Sequence, residues 1–204
     1  MHKNTERGYL HALLKRLEKL GYDRPNSIVA FDKPDFILEI GGRRVGVEVT
    51  LAVEGEYVRA QKLQDALYPG EATIITNLKD GNWRRSNQEI IHDMFGDVFD
   101  PEQAWKGIGT QMIEWRERIA NALQIKRSKF SDYQIFDENW LLIHDPLPFA
   151  YDALERKLAC QHLAGIFSQS SKNEKDFDAV FILSGQCVFR WFQGRLDFSH
   201  NLSP

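Results

Sequence analysis

Asp35 and Glu48 stand on either side of an apolar run and a Gly41-Gly42 turn. Pro34-Asp35-Phe36 opens a first short strand that runs to Ile40. Val45-Gly46-Val47-Glu48-Val49-Thr50 lies in a second. Two acids held by one β-hairpin suit a hard divalent cation, because magnesium and manganese take carboxylate oxygens and water and need few protein ligands. A cation gripped this way polarises a phosphate oxygen and generates hydroxide from water.

The second strand fixes where its acid points. Val45, Val47, Val49 and Leu51 alternate with Arg44, Gly46, Glu48 and Thr50, so period two sends the valines to a core and Glu48 with Thr50 to the other face. The apolar face pins the register, since a one-residue slip would expose every valine. Gly46 is expected to keep the face beside Glu48 open. Asp35, just before the partner strand, can approach the same face.

The hairpin sits in an α/β pattern. Residues 5–20 carry Leu10, Leu13, Leu14, Leu17 and Leu20 at helical spacing, with Thr5 as the expected N-cap and Gly21 as the stop. Ser27–Phe31 reads as a strand ahead of the hairpin, Glu56–Tyr68 as a helix and Ala72–Thr76 as a further strand. A long helix is expected from Pro101 to about Ser128, with Trp105, Ile108, Met112, Trp115, Ile119 and Leu123 on one stripe. Trp140–His144 reads as a strand and 148–168 contains a helix. Asp178–Leu183 and Cys187–Phe192 read as a closing hairpin. The expected architecture is one α/β domain over 1–204, with a core at 1–80, a helical insertion near 85–130 and a C-terminal α/β extension near 140–204.

Composition narrows the function classes. With 43% apolar and 27% charged residues the chain is a globular protein rather than a disordered one. No apolar run reaches the roughly 18 residues of a transmembrane helix. Met1 to Glu6 lacks the apolar core of a signal peptide. Cys160 and Cys187 show no metal spacing and read as small core residues, so a reducing cytoplasm is the expected setting. The net charge of −3 argues against a protein coated in nucleic acid and leaves room for a local basic cleft.

The same residues resemble the PD-(D/E)xK, or restriction-endonuclease-like, nuclease superfamily over about the first eighty positions. Pro34-Asp35 matches its first motif, and Glu48-Val49 matches the acid and its neighbour. The α-β-β-β-α-β order is also that of the family, here within a central mixed sheet that the helical insertion and the C-terminal strands extend. The resemblance implies that Asp35 and Glu48 bind Mg2+ or Mn2+, that the Val49 carbonyl adds a ligand, and that Glu6 on the first helix binds through water. It implies a metal-dependent endonuclease hydrolysing phosphodiester bonds of DNA. Thr50 is the departure: it occupies the place of a lysine that positions the attacking water and offsets charge. Some members of the family take that lysine from the following helix, where Lys62 is the candidate.

Other features have plainer readings. Lys126-Arg127-Ser128-Lys129 can neutralise phosphate but also suits a helix C-terminus, whose dipole favours cations. Trp83-Arg84-Arg85 could stack on a base and pair with phosphate. Trp105 and Trp115 read as core residues or as part of a homodimer interface. His144 and His162 read as structural. Two functions from different classes, the nuclease and a catalytically silent nuclease fold that binds nucleic acid or protein, compete with each other and with an unrelated α/β protein whose hairpin acids have no role. Both need the two acids to converge. The silent form has no ammonium or guanidinium able to reach them.

Overall fold

The computed structural model describes residues 3–52, 108–145, 153–168, 176–185 and 187–200, with single helical positions at 63, 66 and 88. The chain divides into two compact units, Met1–Ala52 with Trp115–Pro204, and Val53–Glu114. The elements expected at 56–68 and 72–76, the start of the long helix at Pro101 and the Trp83-Arg84-Arg85 segment lie outside the described residues.

The described elements run α1 (Lys3–Lys19), β1 (Ser27–Ala30), β2 (Phe36–Ile40), β3 (Arg43–Leu51), α2 (Ile108–Arg127), β4 (Glu138–Asp145), α3 (Ala153–Ser168), β5 (Ala179–Ser184), β6 (Cys187–Phe192) and β7 (Arg195–His200). All seven strands form one mixed sheet in chain order. β3, β4 and β5 are parallel; the pairs on either side are antiparallel. The protein is therefore α/β, with β3 flanked by β2 and β4.

Local chemistry accounts for most of these boundaries. Gly41 and Gly42, at φ of 56° and 78°, form the two-residue loop that pairs Ile40 with Arg43. Positive φ at both positions is what a tight hairpin demands. Gln193-Gly194 repeats the device between β6 and β7. β7 was not anticipated, although its Leu196 and Phe198 alternate after that turn. α1 begins two residues before Thr5, so Thr5 lies inside the helix and does not cap it. Gly21 does stop it, at φ 85°. Leu20 lies just past the helix and is exposed.

Both faces of the sheet are covered, the usual condition for parallel strands. On one face Leu10, Leu13 and Leu17 of α1 join Phe36, Leu38, Val45, Val47, Val49, Trp140, Leu142 and Phe181 in a single core. On the other, Leu141, Ile143, Val180 and Ile182 are buried, as are Trp115, Ile119 and Leu123 of α2. The Trp115 ring lies 5.8 Å from that of Phe189, and its Nε1–H donates to Asp145 Oδ2 at 2.9 Å. Trp115 is thus core. The ring of Phe167 in α3 stacks on Trp191 at 4.7 Å.

Candidate functional site

The hairpin ladder positions Asp35. The pairing of β2 with β3 ends at Phe36 and Val47. One residue beyond, Asp35 replaces a strand carbonyl with its own carboxylate, and Oδ2 accepts the Val49 amide at 2.9 Å. The backbone carbonyl of Asp35 accepts the Phe31 amide at 2.8 Å, which holds the residue in place from the other side. A strand residue aims its N–H and C=O at the same neighbour. The Val49 carbonyl therefore faces the edge where Asp35 lies, as the ligand assignment from the resemblance requires.

Glu48 lies on the opposite face of β3 from Val47 and Val49. It is only 5% exposed, and it meets side chains from two later parts of the chain. Lys126, in the last turn of α2, donates from Nζ to Glu48 Oε1 at 2.5 Å. The Tyr133 hydroxyl donates to the same oxygen at 3.2 Å. Burial raises the Glu48 carboxyl above the usual range, and the nearby charge of Asp35 adds to this; Lys126 and Tyr133 oppose it without prevailing. The same surroundings raise the Tyr133 phenol, first through burial and then through the negative charge of Glu48. Glu48 and Asp35 therefore lie within mutual electrostatic reach.

The first turn of α1 completes the group. Lys3 Nζ donates to Asp35 Oδ1 at 2.5 Å and lies 3.5 Å from Glu6 Oε2. The second separation is an ion-pair distance rather than a hydrogen bond, so this buried Glu6 oxygen has no hydrogen-bond partner. Burial works against the Lys3 charge, but the hydrogen bond and attraction to Asp35 outweigh it and its pKa rises. Lys3 thus bridges Glu6 and Asp35, while Lys126 pairs with Glu48.

The structure joins Asp35 to the Val49 amide, places it within electrostatic reach of Glu48, and sets Glu6 beside the lysine that binds Asp35. Thr50 lies two positions beyond Glu48, on its face and half-buried, in register with Ile143. Lys62 lies outside the described residues. Lys126 and Arg127 are not simple solvated helix-end cations: their side chains are 20% and 17% exposed, and Arg127 pairs with Asp176. Helix period carries the missed signal. Lys126 continues the stripe of Trp115, Ile119 and Leu123, so it had to face the sheet. Lys3 had a weaker signal in its one-turn spacing from Glu6; Tyr133 had none.

Gly46 needs a correction. It does not leave an open face. A Cβ built there would lie 2.6 Å from Phe136 Cδ2 and 2.8 Å from Pro34 Cγ. The glycine admits two rings against the strand, and Arg44 stacks on the outer one at 5.0 Å. A cavity of about 370 Å³ lined by Glu138, Phe177, Asp178, Trp191, Phe192, Gln193 and Gly194 includes none of the three acids.

Among the described residues no group of three His, Cys, Asp or Glu side chains is arranged to hold a metal ion. The chemistry of the donor set suits a cation bound by two carboxylates, a backbone carbonyl and water. The Glu6 oxygen that lacks a hydrogen bond, ion-paired with the same Lys3 that binds Asp35, adds a further acceptor. Comparison of the chain with family models, with curated proteins and with solved structures finds no match.

Proposed function

We propose that the protein is a metal-dependent nuclease with a restriction-endonuclease-like core, hydrolysing phosphodiester bonds of DNA. One observation carries this reading. Asp35 and Glu48 come from opposite arms of one hairpin, both are buried, and each pairs with an ammonium from a separate helix. Buried acids clustered at a strand end are costly unless compensated, and such clusters belong to functional sites more than to cores. Asp35, Glu48 and the Val49 carbonyl would hold Mg2+ or Mn2+, with Glu6 reaching it through water. A bound cation supplies Lewis acidity at the scissile phosphate. The chain's own part is to fix the two carboxylates: Asp35 through the Val49 amide, Glu48 through the β3 register.

Thr50 favours a second reading, a silent fold that binds nucleic acid or a protein partner. That reading needs a site that no ammonium or guanidinium can reach. Lys3 and Lys126, both in contact with motif acids, weigh against it. The test is incubation of the protein with plasmid and with single-stranded DNA in Mg2+ or Mn2+, alongside a folded Glu48→Ala variant. Metal-dependent cutting that disappears in the variant supports the nuclease. No cutting of either substrate by the wild type sinks it in favour of the silent fold.

A further inference from the structure

We propose that Lys126 is the catalytic cation of this site and takes the part for which Thr50 has no charge; this rests on the nuclease reading above. The geometry is specific. Lys126 Nζ lies 2.5 Å from Glu48 Oε1, and its side chain is 80% removed from solvent, whereas Thr50 can offer no positive charge from β3. A lysine placed two residues earlier on α2 or two later, at the exposed positions 124 or 128, would leave the stripe that faces the sheet. The helix is anchored near its middle, where Trp115 donates to Asp145, and at Arg127, which pairs with Asp176. The ammonium is therefore carried by a fixed element, as an electrostatic catalyst requires.

Lys126 has two consequences, of opposite sign. Without a divalent cation it neutralises Glu48 and competes for the oxygen that a metal would use. During cleavage the same positive charge lies beside the phosphate, donates to the attacking water and offsets charge developing on the phosphoryl oxygens. Hydrolysis balances without another reactant: water adds at phosphorus and gives up a proton to solvent, the P–O bond to the leaving sugar oxygen breaks, and that oxygen takes up a proton from solvent. Removing Lys126 should thus weaken turnover while strengthening metal binding. A residue with only a structural role would weaken both.

The experiment compares wild type, Lys126→Met and the double variant Lys126→Met/Thr50→Lys. Methionine keeps the buried stem, and a thermal melt establishes folding. Mn2+ affinity is read by calorimetry without DNA, and cleavage by single-turnover rates at saturating Mn2+. Lys126→Met should cut about 100-fold or more slowly, the loss typical of one transition-state donor. It should bind Mn2+ about two- to fivefold more tightly, the scale of a partly exposed ion pair. The double variant should regain at least about tenfold in rate, because β3 then offers a lysine on the Glu48 face.

Wild-type turnover by Lys126→Met, or loss of rate together with loss of Mn2+ affinity, overturns the assignment of Lys126 and leaves the nuclease reading standing. A wild type that neither binds Mn2+ nor cuts DNA overturns both. If Lys126→Met does not fold, the double variant decides: cutting with tight Mn2+ binding supports the assignment, and a folded but inactive protein refutes it.

Discussion

Gly46→Ala is the sharpest structural test. Ordinary carbon contacts are about 3.5–4.0 Å. The new methyl would fall 2.6 Å from Phe136 Cδ2, 3.3 Å from Phe136 Cε2 and 2.8 Å from Pro34 Cγ. The phenylalanine can swing outward, since it is only half-buried. The proline ring is part of the backbone and is buried beside Asp35, so it moves only if the chain does. Overpacking of this kind costs about 1–3 kcal/mol. For a chain of this size that corresponds to a fall in Tm of about 2–12 °C, taking about 2–4 °C per kcal/mol. Chemical denaturation of Gly46→Ala, Phe136→Leu and the double variant measures it. The double variant should recover part of the loss through the phenylalanine and keep the part due to Pro34. A single variant within about 0.5 kcal/mol of wild type, the range of an indifferent surface site, would refute the packing argument.

Two further outcomes follow from the core. Trp115→Phe keeps most of the ring that meets Phe189 but loses the indole donor to Asp145, a buried carboxylate that also accepts Ser184 Oγ at 2.7 Å; a loss of about 1–3 kcal/mol in urea unfolding is expected, and no change would show that the donor is not needed. His144, stacked on Tyr9 at 3.9 Å, has its pKa lowered by burial, with Arg16 adding to the effect and a hydrogen bond from the imidazole to the Leu183 backbone carbonyl opposing it. The folded state therefore binds a proton less readily than the unfolded chain. Stability falls as pH drops through the unfolded value of about 6.5 and levels off only below the folded value. The difference in Tm between wild type and His144→Phe, followed from about pH 7.5 to 5, should shrink or reverse on acidification, and a constant difference would refute the linkage.

The sequence alone determined the hairpin and what it carries. Period-two alternation and a Gly-Gly turn dictate strand register, and register decides which side of β3 Glu48 takes. Those are nearest-neighbour rules, and Ile40 paired with Arg43 follows them. The leucine stripe of α1 brought Glu6 to the buried side for the same reason. Tertiary structure decided which charges meet those acids. Lys126 and Tyr133 are remote from Glu48 along the chain, and only the packing of α2 on the sheet turns a stripe position into an ion pair. Gly46 was misread because a missing side chain states only that something comes close, and the rings of Phe136 and Pro34 are named by the fold. Local periodicity aims a side chain; the partner it meets depends on contacts between distant segments, which no spacing along the chain encodes.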